Sequence, residues 1–303
     1  MPGRPVLALG AAALALGIAA LAGPQIGAVP AQTAVETGRH TWRVDDPRFG
    51  GFSGLDIAVD GLGLTAVSDR GTLVTGRLVR DARGQISGVD AVAFHPLRDS
   101  AGAPVARAWV DAEGLAVGAD GTLFVSFEAR HRVWAYEAPG APAQPLPRHP
   151  DFDRLQLNSG LEALAIDGEG RLLTLPERSG RLDRPFPVYR YEDGAWTQPF
   201  DLPRDGPYLP VGLDVGPDGR LYLLERNFRG LRGFDTRISR FALERDVPGP
   251  REVLVEARAP FQNNFEGIAV WTGPDGAIRI TILSDDNFAF PLTTEFVEYR
   301  LAP

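Results

Sequence analysis

Residues 113–128 read EGLAVGADGTLFVSFE, and this stretch decides the fold. An apolar segment beginning at Glu-Gly or Gly-Leu leads into a glycine turn, a second apolar segment follows, and an acidic residue ends the unit. This pattern is typical of two buried antiparallel strands joined by a hairpin. Four more copies occur, at 53–69 (SGLDIAVDGLGLTAVSD), 160–177 (GLEALAIDGEGRLLTLPE), 211–226 (VGLDVGPDGRLYLLER) and 266–285 (EGIAVWTGPDGAIRITILSD).

The spacing of the copies predicts a β-propeller. Their starting glycines lie 46 to 60 residues apart, with further strand-like stretches between them: Gly54, Gly114, Gly160, Gly212 and Gly267. About four strands per repeat of this length match propeller blades. We therefore predict an all-β propeller of five or six four-stranded blades, with five copies counted directly. A two-sheet sandwich would explain the strands but not their recurrence.

The ends of the repeat region predict how the ring closes. After the last hairpin only residues 295–301 remain as a strand. A propeller ring must close, so a strand around residues 40–44 is predicted to complete the last blade from the N-terminal side.

The N-terminus has the three-part pattern of a secretory signal. Arg4 precedes an apolar run from Val6 to Ala22, and Val29-Pro30-Ala31 offers small residues for cleavage before Gln32. We therefore predict a signal peptide over residues 1–31 and one propeller domain over 32–303, in a periplasmic or secreted protein. An uncleaved anchor is the competing interpretation, because the run is close to the minimum for crossing a bilayer. No membrane span is predicted in the mature chain.

Composition excludes several function classes. The chain has no cysteine, and all 31 of its basic residues are arginine. Thiol nucleophiles, disulfides, thiolate metal sites, Schiff-base lysines and Walker-type phosphate loops are therefore absent. A net charge of -8 without basic runs argues against nucleic acid and against anionic membrane surfaces as partners.

Acidic residues recur at mirrored positions in the hairpins. Glu113 and Glu128 are equally distant from the Asp120-Gly121 turn, and three other pairs are similarly placed: Asp56 and Asp69, Glu162 and Glu177, and Glu266 and Asp285. Directly opposed residues have Cβ atoms about 4.5–5.5 Å apart and share a face. In a propeller these ends of the hairpins meet at one mouth of the central channel. The sequence thus predicts clustered carboxylates that need a cation, a shared proton or an arginine.

Two interpretations of this mouth stay open at the sequence level. In the structural one, arginines that follow the second acids hold the blades together without a ligand. In the functional one, carboxylate and amide oxygens bind a hard cation, for which calcium is predicted. The predicted metal ligands are Glu113, Glu162, Glu266, Asp285, Asn264 and Asn287. The arginines predicted to hold a small anionic ester or phosphoester by charge-assisted hydrogen bonds are Arg130, Arg178 and Arg226.

Familiar catalytic motifs are missing, which limits the possible mechanisms. The sequence has no Gly-x-Ser-x-Gly elbow and no paired-histidine zinc motif. A hydrolase of this kind would use a water molecule activated at the cation, with Glu162 as a catalytic residue. His131 follows the Glu128–Arg130 segment at a strand end and is the general-base candidate; the alternative is a polar loop residue.

Several motifs together resemble the phytase-like family of exported bacterial proteins, described as having esterase-like activity. They are DAEGLAV (111–117), FEAR (127–130), NSGLEAL (158–164), PER (176–178), ERNF (225–228) and NFEGI (264–268). The resemblance spans roughly residues 49–301 and implies a propeller that hydrolyses phosphate or carboxylate esters. The chain lacks the aspartate-rich signature of calcium-dependent propeller phytases. Two alternatives remain: a lactonase of the paraoxonase or gluconolactonase type, and a non-catalytic propeller that binds a ligand or a protein.

Overall fold

The computed structural model describes residues 34–258 and 263–302, in which the repeat forms five antiparallel four-stranded blades. The first described strand is β1 (Ala34–Thr41). Blade 1 contains β2 (Phe52–Ile57), β3 (Gly63–Ser68), β4 (Thr72–Arg80) and β5 (Ile86–Pro96). Blade 2 contains β6 (Ala112–Val117), β7 (Leu123–Phe127), β8 (Arg132–Tyr136) and β9 (Gln144–Pro145). Blade 3 contains β10 (Leu161–Ile166), β11 (Leu172–Pro176), β12 (Phe186–Glu192) and β13 (Ala195–Leu202).

The last two blades follow the same order with two additions. Blade 4 contains β14 (Leu209–Val215), β15 (Leu221–Phe228), β16 (Phe234–Phe241) and β19 (Glu252–Ala257), with an inserted hairpin of β17 (Leu243–Glu244) and β18 (Val247–Pro248). Blade 5 contains β20 (Asn264–Thr272), β21 (Ile278–Asp285), β22 (Glu295–Leu301) and, as its outer strand, β1. Short 3-10 helices occur at Arg107–Trp109, Pro150–Arg154 and Gly230–Arg232.

The predicted closure of the ring is confirmed. Strand β1 pairs antiparallel with β22, from Ala34 opposite Leu301 to Thr41 opposite Glu295. The closing strand therefore begins before the predicted residues 40–44. Each inner strand (β2, β6, β10, β14 and β20) contacts the inner strands of the two neighbouring blades, with β20 next to β2. The ring contains five blades, which settles the predicted range of five or six.

The repeated glycines let neighbouring inner strands pack closely. A Cβ atom on Gly54 would lie 2.8 Å from the Leu115 backbone nitrogen, and one on Gly114 would lie 2.8 Å from that of Leu164. Gly212 and Gly267 meet the next blade in the same way. A side chain at these positions would force adjacent blades apart, because real Cβ atoms do not approach backbone atoms so closely.

Apolar side chains fill the spaces between blades. One cluster joins Leu175 and Val188 of blade 3 to Leu213 and Leu223 of blade 4, all buried. Both faces of most blades are covered, which explains why the strands read as nearly continuous apolar runs. Among the residues described, no helix is long and apolar enough to cross a bilayer. The predicted signal peptide lies outside the described residues.

Candidate functional site

A β-bulge in every blade points one side chain toward the end of the channel where the inner strands begin, which we call the mouth. The pairing between the first two strands shifts register at Phe52/Gly54, Ala112/Leu115, Leu161/Ala163, Pro210/Gly212 and Phe265/Gly267. A bulge inserts an unpaired residue and re-aims its side chain. In each blade the re-aimed residue directly precedes the close-packed residue of the inner strand, which is a glycine in four blades and Ala163 in blade 3. The re-aimed residues are Ser53, Glu113, Glu162, Val211 and Glu266. Three blades thus contribute a glutamate by the same local device.

The second strand of each blade contributes a further charged residue at the mouth. This residue follows by two positions the one that lies opposite the inner-strand glycine, or opposite Ala163 in blade 3. The residues there are Asp69, Glu128, Glu177, Arg226 and Asp285. Four blades therefore carry a carboxyl group at this level, and blade 4 carries an arginine.

The register corrects the mirrored pairs predicted from sequence. Asp56 lies opposite Thr65 rather than facing Asp69. Asp285 lies opposite Asn264, while Glu266 occupies the bulge. Asp56 does not face Asp69 because the β2–β3 turn is centred on Asp60 and Gly61. For Glu266, counting from the turn fails because a bulge adds a residue to only one of the two strands. The acids meet at the mouth nevertheless, but through bulges rather than through direct cross-strand opposition.

Arg226 is the buried cation of the mouth. Its Nη1 donates hydrogen bonds to Asn264 Oδ1 at 2.8 Å and to Glu266 Oε1. Its Nη2 donates to Glu177 Oε1 at 3.2 Å. Asn264 Nδ2 also donates to the same Glu266 oxygen, at 2.7 Å. With its side chain only 20% exposed, Arg226 joins blades 3, 4 and 5. Its predicted substrate-binding role stays a prediction, and two metal ligands predicted from sequence, Glu266 and Asn264, are engaged with it.

A second part of the mouth contains carboxyl groups without an arginine. Oxygen atoms of Asp111, Glu113 and Glu128 lie within 4.8 Å of one another. Burial raises the pKa of Glu113 well above its ordinary value, and the nearby carboxylate of Glu266 raises it further. Burial likewise raises the pKa of Glu128 to about 7. Sequence reasoning missed Asp111 as a member of this group, although its position two residues before Glu113 offered a signal.

Glu162 lies beside this group. It is buried, and burial followed by repulsion from Glu113 and Glu128 raises its pKa well above the ordinary range. The carboxyl groups of Glu162 and Glu128 hydrogen-bond to each other. Two carboxyl groups can do so only when one of them holds a proton. The structure therefore places Glu162 beside a second carboxyl group with a raised pKa, and its catalytic role stays a prediction.

The remaining predicted ligands lie at the blade 5 side of the mouth. Burial raises the pKa of Asp285 to about 8, and the Glu266 carboxylate contributes to the rise. Asp285 Oδ1 accepts a hydrogen bond from the backbone N–H of Asn287 at 2.7 Å. Asn287 itself is exposed. The structure thus brings Asp285 into the acidic mouth and places Asn287 in the exposed loop between β21 and β22.

Gly160 connects three of the glutamates. Its N–H donates to Glu128 Oε1 at 2.5 Å, and its carbonyl oxygen accepts from the N–H groups of Glu162 at 2.9 Å and Glu177 at 3.0 Å. A Cβ atom here would lie 2.0 Å from Nδ1 of His131. His131 is buried, and its Nδ1 has no hydrogen-bond partner. The structure therefore places His131 behind Gly160; the general-base role stays a prediction.

The two other predicted substrate-binding arginines lie at the rim of the mouth. Arg130 is exposed and its guanidinium stacks 3.8 Å from the centre of the Trp109 ring. Arg178 is 53% exposed, and its Nε lies 3.3 Å from Glu177 Oε2. Both guanidinium groups can reach solvent, in contrast to that of Arg226.

The fold and the mouth define a five-bladed propeller with an acidic channel entrance. A family model described as Phytase-like, esterase-like activity of phytase, matches residues 47–288. Because this match covers most of the chain, the protein belongs to that family. No match was found among curated protein sequences.

Solved structures support the fold. The catalytic domain of a GH62 α-L-arabinofuranosidase from Coprinopsis cinerea is 10% identical at a TM-score of 0.54, covering 90% of this chain and 99% of that one. The α-L-arabinofuranosidase of Podospora anserina is 12% identical at 0.52, covering 88% and 96%. A PQQ-bound aldose sugar dehydrogenase from Streptomyces coelicolor is 14% identical at 0.43, covering 87% and 98%. At these identities the likeness to the two arabinofuranosidases shows the fold alone.

Proposed function

We propose that this protein hydrolyses small anionic esters, of phosphate or carboxylate type, at the acidic mouth of its channel. The observation that carries the proposal is the convergence of carboxyl groups from several blades at the mouth, where some pair with the largely buried Arg226 and others have no arginine partner. Folding alone does not favour this arrangement, because burying several carboxylates together costs free energy of folding. Membership in a family described by esterase-like activity supports the same reaction class.

The proton-transfer chemistry follows from the raised pKa values. Ester hydrolysis needs a group that accepts a proton from water and another that donates one to the leaving group. The pKa of Glu128 is about 7, and burial raises the pKa of Glu162 well above its ordinary value, so that this part of the mouth favours the protonated form. We assign the acid–base role to Glu162, which contacts the substrate and donates and accepts the proton in turn, while Glu128 is its neighbour and a candidate calcium ligand.

The residues of the mouth also fit a calcium ion. Asp111, Glu113 and Glu128 offer hard oxygen donors within reach of one another, and none of the three forms an ion pair with a described arginine. Calcium prefers such ligands and tolerates irregular geometry. When bound, it would polarise the ester oxygen and lower the pKa of a coordinated water molecule. Relative to the ligands predicted from sequence, this set adds Asp111 and Glu128. It leaves out Glu266 and Asn264, because both already hydrogen-bond with Arg226.

Two exposed arginines at the rim of the mouth support an anionic substrate. Arg130 and Arg178 present exposed guanidinium groups beside the carboxyl cluster. A guanidinium group recognises phosphate or carboxylate through paired, charge-assisted hydrogen bonds. The substrate is therefore expected to place its anionic group at the rim and its ester bond over Glu162.

The test is a turnover assay with nitrophenyl acetate, nitrophenyl phosphate, bis-nitrophenyl phosphate and a small lactone. We expect ester or phosphoester turnover that Glu162→Gln lowers by about 100-fold or more, since loss of a general acid–base group costs that much. Asp56→Asn is the matched control, because Asp56 is a carboxyl group with a raised pKa of about 6 on β2 that lies away from the mouth. Chelation should abolish turnover and added calcium restore it.

Three outcomes would contradict this function. Ligand binding without turnover of any ester would identify a binding propeller instead. Lactone hydrolysis that outruns ester and phosphoester hydrolysis would identify a lactonase. An equal loss of turnover in Glu162→Gln and Asp56→Asn would show that the mouth carboxyl groups act only on stability.

A further inference from the structure

Large apolar side chains project from the loops around the mouth. They lie in five different connections, β5–β6, β9–β10, β11–β12, β15–β16 and β21–β22, except that Phe228 is the last residue of β15. All these connections leave the blades at the mouth end, because inner strands begin there and second strands end there. The side chains, which we call the apolar rim, are Trp109, Leu157, Leu182, Phe228, Leu231 and Phe290. Leu231 and Phe290 are essentially fully exposed, at 106% and 99%.

Arginines flank most members of the apolar rim. Leu182 lies between Arg181 and Arg184, and Leu231 precedes Arg232 directly. Leu157 follows Arg154, whose side chain is 83% exposed. Isolated exposed leucines are ordinary, but repeated apolar tips beside arginines on one face of a disc are not.

The opposite face has a different character. Its hairpin turns carry carboxylates, as at Asp60, Asp120 and Asp218. The large apolar residues most exposed in its turns are Val59 and Val247. The net charge of -8 is therefore distributed unevenly, with acidic turns at one end and arginines at the rim of the other. The expectation from sequence that the chain avoids anionic membranes assumed a uniform surface.

We propose that the mouth face docks on an anionic lipid surface. Apolar side chains that enter the headgroup boundary, together with neighbouring arginines that pair with lipid phosphates, are the two elements of interfacial binding. A lipid surface fits better than a protein partner, because a protein interface needs a contiguous packed apolar centre. Here the centre is an acidic opening, and the apolar tips are spread around it on separate loops. This inference goes beyond the proposed reaction and does not depend on it.

The experiment measures binding to lipid vesicles by flotation. All five blades lie within residues 34–301, so a chain of residues 32–303 contains the whole fold and excludes the apolar N-terminal run. Two vesicle types are compared: phosphatidylcholine alone, and phosphatidylcholine with about one third phosphatidylglycerol. We expect binding to the anionic vesicles only. The affinity should fall by about fivefold for each arginine beside the apolar rim that is changed to glutamine, for example Arg184 or Arg232. It should also fall with added salt.

The apolar contribution is tested with Leu182→Ser, Leu231→Ser and Phe290→Ser combined. These side chains are exposed, so their loss should leave the free energy of unfolding nearly unchanged. We expect anionic vesicle binding to weaken by about 100-fold. The matched control is Val59→Ser with Val247→Ser on the opposite face, which should bind as the parent does.

Each other result overturns the proposal. Absence of vesicle binding, equal binding to neutral and anionic vesicles, or equal loss in the Val59 and Val247 control would each do so. A self-association that the rim substitutions abolish, without any vesicle binding, would instead identify a second copy of the chain as the occupant. Ester turnover in detergent-free solution is measured in parallel, so that failure of docking and failure of the proposed reaction are distinguished.

Discussion

Replacing Arg226 by methionine should destabilise the protein more than any exposed arginine substitution. Its guanidinium hydrogen-bonds with Glu177, Glu266 and Asn264 and is only 20% exposed. Removing one partner of a buried ion pair leaves an uncompensated charge and costs about 3–5 kcal/mol. Because a fifth of the side chain still reaches solvent, we take the lower end, about 3 kcal/mol. For a chain of this size that corresponds to a fall in Tm of roughly 6–12 °C.

The assay is urea unfolding in the presence of chelator, at pH 7 and at pH 5. The loss should be smaller at pH 5, because the carboxyl groups left without Arg226 can protonate there. Arg178→Met is the control: its guanidinium is 53% exposed and pairs with the same Glu177, so a loss of at most about 1 kcal/mol is expected. An Arg226→Met loss below about 1 kcal/mol, or one that is equal at both pH values, would refute the electrostatic account of the mouth.

Two further predictions concern the same carboxyl groups. Gly160→Ala should lower the free energy of unfolding by about 1–3 kcal/mol, because the added methyl group overpacks against His131, and it should lower turnover. A His131→Gly change in the same chain should restore part of both the stability and the turnover. If neither is restored, the packing role is disproved. The calcium-free protein should lose stability as pH rises from about 5 to 8, because the pKa values of Glu128 (about 7) and Asp285 (about 8) exceed those of unfolded carboxyl groups, so that the fold favours the protonated forms. Unfolding free energies measured by urea titration across that range check the direction, and stability that rises with pH would contradict it.

The blades could be predicted from sequence because hairpins with glycine turns leave a local signal. The Asp120-Gly121 turn illustrates it: Gly121 adopts a φ of 87°, and Asp120 Oδ1 accepts the N–H of Thr122 at 3.0 Å. Strands with less apolar pattern escaped prediction. Strand β13 (Ala195–Leu202) is an outer strand with polar and exposed positions, and β9 (Gln144–Pro145) has only two residues.

The site could be predicted as a set of residues but not as a geometry. Glu113 and Glu162 were found because the repeat marks them, but the bulges that re-aim them have no signature in the spacing of acids. Likewise, the third copy was aligned on Gly160, whereas Ala163 occupies the close-packed position opposite Leu175. Gly160 has its own role, which depends on a long-range contact with His131 that no local pattern reveals.

The central claim is that the mouth carboxyl groups hold protons that a cation displaces. Calorimetric titration of calcium into the protein, in two buffers with different ionisation enthalpies, tests it most directly. We predict that calcium binding releases protons at pH 7, because the pKa of Glu128 is about 7 and that of Glu113 is raised well above its ordinary value by burial. We also predict that Glu113→Gln abolishes this binding. Absence of calcium binding, or binding whose heat is the same in both buffers, would contradict the account.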